Sequence, residues 1–186
     1  MSNFAINNYK YTPLFCEENI WKLIESLYMN MQAKPKDVLF ITNKSKTIAL
    51  FEQVLSSNHQ PVIWDYHVIL TAQIDLKTVI FDFDSKCKFP AYITEYFNTT
   101  FPDSDSLHEA YRPLIKVINA QYYFKHFFSD RSHMKGLIES HQYPVYEIIK
   151  PASCIKPLSL NDCLDVSKSS KKSILYEPDQ YINIIK

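Results

Sequence analysis

The stretch "PVIWDYHVIL", Pro61 to Leu70, carries one side chain able to exchange protons near neutral pH, His67, within what otherwise reads as a strand. A histidine there does chemistry only if one group orients it and another reacts beside it. Period-two alternation puts Ile63, Asp65, His67 and Ile69 on one face of this strand, and Ile80, Asp82 and Asp84 on one face of the next, "TVIFDFDS" (78–85). If the two form a hairpin with a four-residue loop at 73–76, His67 faces Asp82. A two-residue loop at Asp75 and Leu76 makes it face Asp84 instead. Either carboxylate would hold the imidazole in one tautomer and stabilise the imidazolium, as the third member of a catalytic triad does. A cross-strand polar pair on a wet face would have the same sequence.

The reacting group has two candidates. Cys16 precedes "EENIWKLIESLYMNM", where Ile20, Leu23, Ile24, Leu27 and Met31 recur at the spacing of one helical face. A thiol at such a helix start meets the positive end of the dipole, which lowers its pKa from about 8.5 toward neutrality, while Glu17 and Glu18 oppose that shift. A small buried cysteine is the plainer reading, and Cys87, Cys154 and Cys163 keep it, having no helix-start context. The second candidate is "SDRSHMKG", where Ser132 and His133 offer another nucleophile and base. No GxSxG elbow surrounds Ser132, and a mixed-charge turn of this kind is normally a capping network.

These residues need elements to carry them. The spacing predicts a helix that begins at or next to Cys16 and ends before Pro35, a strand over 37–42, one long strand over 62–73 and a second over 78–85. Residues 46–57 fit strand or helix equally. Further on, "IKVINA" reads as strand, "AQYYFKHFF" as a short helix, "YPVYEII" as a strand, "PLSLNDCLD" as a loop with a helical turn, and 167–173 as a solvated linker.

The 186 residues, 46% of them hydrophobic, suit one catalytic domain over 1–186. Twenty basic and twenty acidic residues leave a net charge of zero, without the basic excess that marks nucleic-acid binders. The first residues lack a basic segment followed by an apolar core, and no run approaches the 18 or so apolar residues of a membrane span, so a cytoplasmic or also nuclear location and no membrane partner are expected. Four scattered cysteines form no CxxC pair or zinc-finger spacing, so no structural metal is expected. Gly136 is the only glycine, which excludes the GxGxxG and Walker loops and nucleotide chemistry by those routes.

Four motifs, "FCEENIWKL" (15–23), "PVIWDYHVIL" (61–70), "FDFD" followed by "FP" (81–90) and "FFSDRSHMK" (127–135), resemble in order and separation those of the protein N-terminal glutamine amidohydrolases, over about residues 11–147. The resemblance implies conversion of an N-terminal glutamine to glutamate with release of ammonia, feeding the N-degron arginylation route. It implies Cys16 as nucleophile, His67 as base and Asp82, the first acid of the D-x-D pair, as orienting group, with no cofactor. It also implies an α/β (α+β) papain- or transglutaminase-like fold, with the nucleophile at a helix start packed on a mainly antiparallel sheet. Two stretches depart from the family: after Lys135 only "GLIESHQ" precedes "YP", where a longer segment with tryptophan and a proline run is usual, and "SILY" stands where a glycine-containing approach to a strand is found.

A substrate of this kind brings a charged α-ammonium into a partly desolvated pocket and needs an acceptor there. Asp65, on the face of His67, and Glu17 and Glu18, beside the nucleophile, are the candidate acceptors, with Trp64 as a further substrate-binding candidate. A monomer acting on free N-terminal glutamine of proteins and peptides is expected. The alternatives are a related thiol acyl-transfer enzyme, protease or transglutaminase-like, and a silent module that binds N-termini.

Overall fold

The computed structural model describes residues 4–102, 106–167 and 173–185. The helical spacing near the N-terminus produces helix α1 (Cys16–Asn30), whose Ile20, Leu23, Ile24 and Leu27 are fully buried. Each such side chain contributes about 2 kcal/mol relative to exposure. Met31 does not extend that face as expected. It adopts the left-handed conformation (φ 49°) that ends the helix, and its side chain is 88% exposed.

The chain then lays down β1 (Lys34–Thr42), β2 (Ile48–Leu50), β3 (Val62–Trp64), β4 (His67–Ile74), β5 (Lys77–Phe81) and β6 (Ala91–Tyr92), followed by α2 (Ile93–Thr100). Next come β7 (Leu114–Asn119), α3 (Ala120–His126), β8 (Phe127–Phe128), β9 (Leu158–Ser159), α4 (Leu160–Leu164), β10 (Ser173–Tyr176) and α5 (Pro178–Ile185). The main sheet runs β10-β7-β1-β4-β5-β6 with every neighbouring pair antiparallel. The short pairs β2 with β3, antiparallel, and β8 with β9, parallel, stand apart from it. The result is a mixed α/β protein built on a mainly antiparallel sheet.

Both faces of the main sheet are covered, so its strands are apolar on successive residues rather than alternating. Val38, Phe40, Val68, Leu70 and Phe81 belong to a core shared with α1 and with Tyr123 of α3. Leu39, Ile41, Ile69, Ile80 and Ile115 belong to a second core with Tyr96 and Phe97 of α2 and Tyr181 and Ile182 of α5.

Three further expectations change. The long strand over 62–73 breaks at Asp65 and Tyr66, because the Asp65 carboxylate accepts the Tyr66 N–H (2.9 Å) while Thr42 Oγ1 donates to the Asp65 carbonyl (3.1 Å). Both backbone groups are thus satisfied outside a ladder. The segment "YPVYEII" forms no strand. Its carbonyls at Pro144 and Tyr146 accept from the Arg131 guanidinium, and the Ile149 carbonyl accepts from Ser129 N–H. In the third, "AQYYFKHFF" is helical only to His126, after which Phe127 and Phe128 pair with β9. Residues 46–57 hold β2 and then turns. Of the linker assigned to 167–173, residues 168–172 lie outside the described residues.

Candidate active site

Cys16 is the first residue of α1, held there by a two-way clasp: Thr12 N–H donates to Asn19 Oδ1, and Asn19 Nδ2 donates to the Thr12 carbonyl, both at 2.8 Å. The fully buried Phe15 anchors the residue before it. The helix start does not leave this thiol acidified, contrary to the dipole expectation. Burial pushes its pKa well up, the neighbouring Glu17 and then Asp84 add to that, and a hydrogen bond from the Val68 backbone N–H opposes them. These surroundings favour the neutral thiol, so an attack by this sulfur would call for a base beside it.

A group able to act as that base, His67, stands at the start of β4. His67 Nε2 lies 2.7 Å from Asp82 Oδ1, both side chains being 1% exposed. Tyr96 of α2 donates its hydroxyl to the other Asp82 oxygen at 2.7 Å, and the Asp84 N–H donates to Oδ1 at 2.9 Å. Burial alone would lower the histidine's pKa, but the charge and hydrogen bond of Asp82 outweigh it and the net shift is upward. Burial likewise opposes the carboxylate, yet the imidazole and the Tyr96 hydroxyl hold Asp82 below its ordinary value. With Nε2–H turned to the acid, Nδ1 keeps its lone pair; it is buried and has no hydrogen-bond partner among the described residues. Trp64 stacks on the ring, centroids 5.5 Å apart and planes 21° apart.

How Asp82 reaches His67 follows from where β5 stops. The hairpin has the two-residue loop, with Asp75 at φ 54°, and pairs Ile74 with Lys77 through to Leu70 with Phe81. Continued for three more residues, that register would set Asp84 opposite His67. The ladder ends at Phe81 instead, and the turn closed by the Asp84 N–H on the Asp82 carboxylate brings Asp82 onto the imidazole.

A cavity of about 380 Å³ opens over these groups, lined by Cys16, Trp64, Asp65, His67, Asp84 and His133 on its polar side and by leucines including Leu14 and Leu137 on the other. Of the proposed substrate-binding residues, the structure brings Trp64 and Asp65 to this cavity and keeps Glu17 and Glu18 out of it, both being 0% exposed. Glu18 is occupied by the Arg131 guanidinium through two bonds of 2.9 Å and by the Ser129 hydroxyl at 2.6 Å. Glu17 takes the Tyr66 hydroxyl at 3.0 Å, stands 3.7 Å from the Cys16 sulfur and 3.5 Å from His133 Nε2, and is pushed up to about 7 by burial. The two acids that follow Cys16 go inward because the first turn of α1 faces the core.

The second constellation divides. His133 lines the cavity, whereas Ser132 does not, and its N–H is capped by the Asp130 carboxylate at 2.9 Å. Of the other thiols, Cys163 is buried, Cys154 exposed and Cys87 set 3.2 Å from the Thr99 hydroxyl. Among the described residues, one group with the donors of a metal site exists: His67, Asp82 and Asp84, with ligand atoms within 4.8 Å of one another. Two of those donors are committed to each other at 2.7 Å, which leaves fewer than the three or four protein donors a zinc site uses. Tyr96, which is buried, and Tyr11, which is exposed and whose hydroxyl donates to Asp84 Oδ1 at 2.5 Å, escape sequence reading because the acceptor each finds lies on another element and is set by tertiary packing.

A thiol at a helix start that lines one cavity with an imidazole oriented by a buried carboxylate is the set of groups that thiol acyl-transfer chemistry uses. Comparison with known proteins narrows the class: residues 11–184 match the family described as N-terminal glutamine amidase, and the chain belongs to that family. It is 34% identical over 163 residues to a protein N-terminal glutamine amidohydrolase of Homo sapiens, covering 84% of this chain and 78% of that protein. The Bos taurus protein of the same name is 31% identical over 178 residues (93% and 85%), and that of Arabidopsis thaliana 36% over 135 residues (68% and 61%).

Proposed function

We propose that this protein removes the side-chain amide of N-terminal glutamine in proteins and peptides, leaving glutamate and ammonia, with Cys16, His67 and Asp82 as its catalytic residues. The observation that carries the mechanism is the 2.7 Å His67–Asp82 pair, whose remaining ring nitrogen is buried without a hydrogen-bond partner among the described residues, on a histidine that lines the same cavity as Cys16.

His67 takes the thiol proton as the sulfur bonds to the glutamine Cδ. The tetrahedral adduct then expels ammonia, which receives that proton from the imidazolium, and a γ-glutamyl thioester remains. Water, deprotonated by His67, attacks the thioester; the carbon–sulfur bond breaks, glutamate leaves and the proton returns to the sulfur. Asp82, held by Tyr96, keeps Nε2–H pointed away from the reaction and stabilises the imidazolium. No metal or organic group is required by these steps. The arrangement of thiol helix and antiparallel sheet supports a papain- or transglutaminase-like fold. The reading carries with it a monomeric enzyme of the cytoplasm and nucleus that prepares substrates for the N-degron route.

Mass spectrometry of a Gln-initiated peptide incubated with the protein tests this. A gain of about 1 Da with one equivalent of ammonia is expected, and none from the acetylated peptide. Peptide-bond cleavage, or incorporation of an added amine in place of water, would instead identify the protease or transglutaminase-like chemistry. Binding of the peptide without turnover would identify a silent module.

A further inference from the structure

The reaction proposed above uses an amide that every internal glutamine also has, so something in the cavity must register the free α-ammonium. Glu17 and Glu18 are sealed from the cavity, and among the described residues two carboxylates line it, Asp65 and Asp84. They differ in surroundings. Asp65 is exposed, and one of its oxygens already holds the Tyr66 N–H. An exposed carboxylate gains little from an ammonium that water solvates equally well. Asp84 is half-buried. The Tyr11 hydroxyl fixes its Oδ1 at 2.5 Å, and its backbone is pinned on both sides, the N–H by Asp82 (2.9 Å) and the carbonyl by Val54 N–H (2.6 Å).

Its position also suits the substrate. The α-nitrogen of glutamine lies four bonds from Cδ, roughly 5 Å when extended. An acceptor must therefore stand close to the reacting pair without belonging to it. Asp84 has a ligand-capable oxygen within 4.8 Å of both His67 and Asp82, and its charge bears on the Cys16 sulfur and the imidazole, yet its side-chain hydrogen bond goes from Tyr11 to Oδ1, and among the described residues none goes to Oδ2.

We infer that Asp84, oriented by Tyr11, accepts the α-ammonium of the substrate's terminal glutamine and so selects free N-termini. This rests on the glutamine-amidase reading. It makes the D-x-D pair a division of labour, the first acid serving the imidazole and the second the substrate.

The test compares wild type, Asp84→Asn and Tyr11→Phe by two measurements: kcat/KM for ammonia release from a Gln-initiated peptide, and the rate of Cys16 alkylation by iodoacetamide, which has no amine to anchor. Asparagine keeps an acceptor for Tyr11 but loses the charge. Asp84→Asn should lower kcat/KM about 10- to 100-fold, mostly through KM, while alkylation is undiminished. Tyr11→Phe should lower kcat/KM severalfold with the same alkylation rate. A parallel fall in alkylation and turnover would overturn the inference and make Asp84 a positioning residue acting through His67. Unchanged kcat/KM in Asp84→Asn would also overturn it and move the anchor elsewhere. If wild type alkylates but releases no ammonia, the amidase reading fails.

Discussion

Asp82 and Tyr96 meet at 2.7 Å, carboxylate oxygen to hydroxyl, behind the imidazole that the same carboxylate orients. The acid is thus held from two sides, by His67 through one oxygen and by a helix of the second core through the other.

Asp82→Asn should keep the fold and lower kcat by about 10⁴-fold, since an amide can present its NH2 to Nε2 and so select the wrong tautomer. Unlike Asp84→Asn, it should slow iodoacetamide alkylation of Cys16 in step with turnover. Tyr96→Phe removes one buried hydrogen bond worth about 1 kcal/mol and should cost turnover roughly tenfold or less. Full activity of Asp82→Asn in steady-state ammonia release would remove the residue from the mechanism.

Cys16→Ser should be folded and almost without turnover, because a hydroxyl is a much weaker nucleophile at neutral pH than a thiol paired with a base. Cys87→Ser, Cys154→Ser and Cys163→Ser should all turn over substrate, with Cys163→Ser less stable because its site is fully buried. Ammonia assays beside circular dichroism check this, and more than a few per cent of wild-type kcat in Cys16→Ser would contradict the assignment.

Glu17 gives a pH signature in stability. Its carboxyl is pushed up from 4.5 to about 7 chiefly by burial, so the folded chain keeps a proton that the unfolded chain releases. That contribution is fully present below 4.5 and is lost as pH rises through about 7. His67, also raised, contributes below its ordinary 6.5 and loses that contribution as pH passes its higher folded value. Glu17→Gln abolishes the first loss and leaves the second. The fall in urea-unfolding free energy between pH 5 and pH 8 should therefore shrink by about 2 kcal/mol in the variant. An unchanged fall would show that Glu17 is already ionised at pH 5 in the folded protein.

The Glu18–Arg131 pair is the opposite case, a buried charge fully answered. Arg131→Ala strands the carboxylate and also frees the carbonyls of Pro144 and Tyr146, so unfolding free energy should drop by about 3 to 5 kcal/mol. Glu18→Leu combined with Arg131→Met should recover part of that loss. Urea denaturation decides it: a drop under about 1 kcal/mol in Arg131→Ala would mean that water reaches Glu18 in the variant.

Much of this was open to sequence reading where a local rule suffices. The start of α1 at Cys16 follows from apolar spacing, and the β4–β5 hairpin from two apolar runs around a polar turn. The identity of the acid facing His67 does not follow from pairing rules, because it depends on β5 ending at Phe81 rather than on the register that precedes it. The motif resemblance supplied Asp82 where alternation left two choices. Glu17 and Glu18 look alike in sequence, both acids in a first helical turn, yet one meets a tyrosine and a histidine and the other an arginine from over a hundred residues away. Such partners are decided by packing between distant segments, which no local pattern encodes.

The sheet acts as a partition through which the two halves of the chemistry must stay in tune. The sulfur rides on α1, seated in one core, while the imidazole and its acid are braced by α2, seated in the other, and β4 contributes residues to both. If Cys16 and His67 act as proposed, two loosened packings of equal thermodynamic cost, one at Leu23 and one at Phe97, would be distinguishable by a kineticist: the first would detune the thiol and the second the imidazole. On the proposed mechanism, turnover would be a reading of the alignment between two separately packed bodies, sensitive to strain that neither core alone would register.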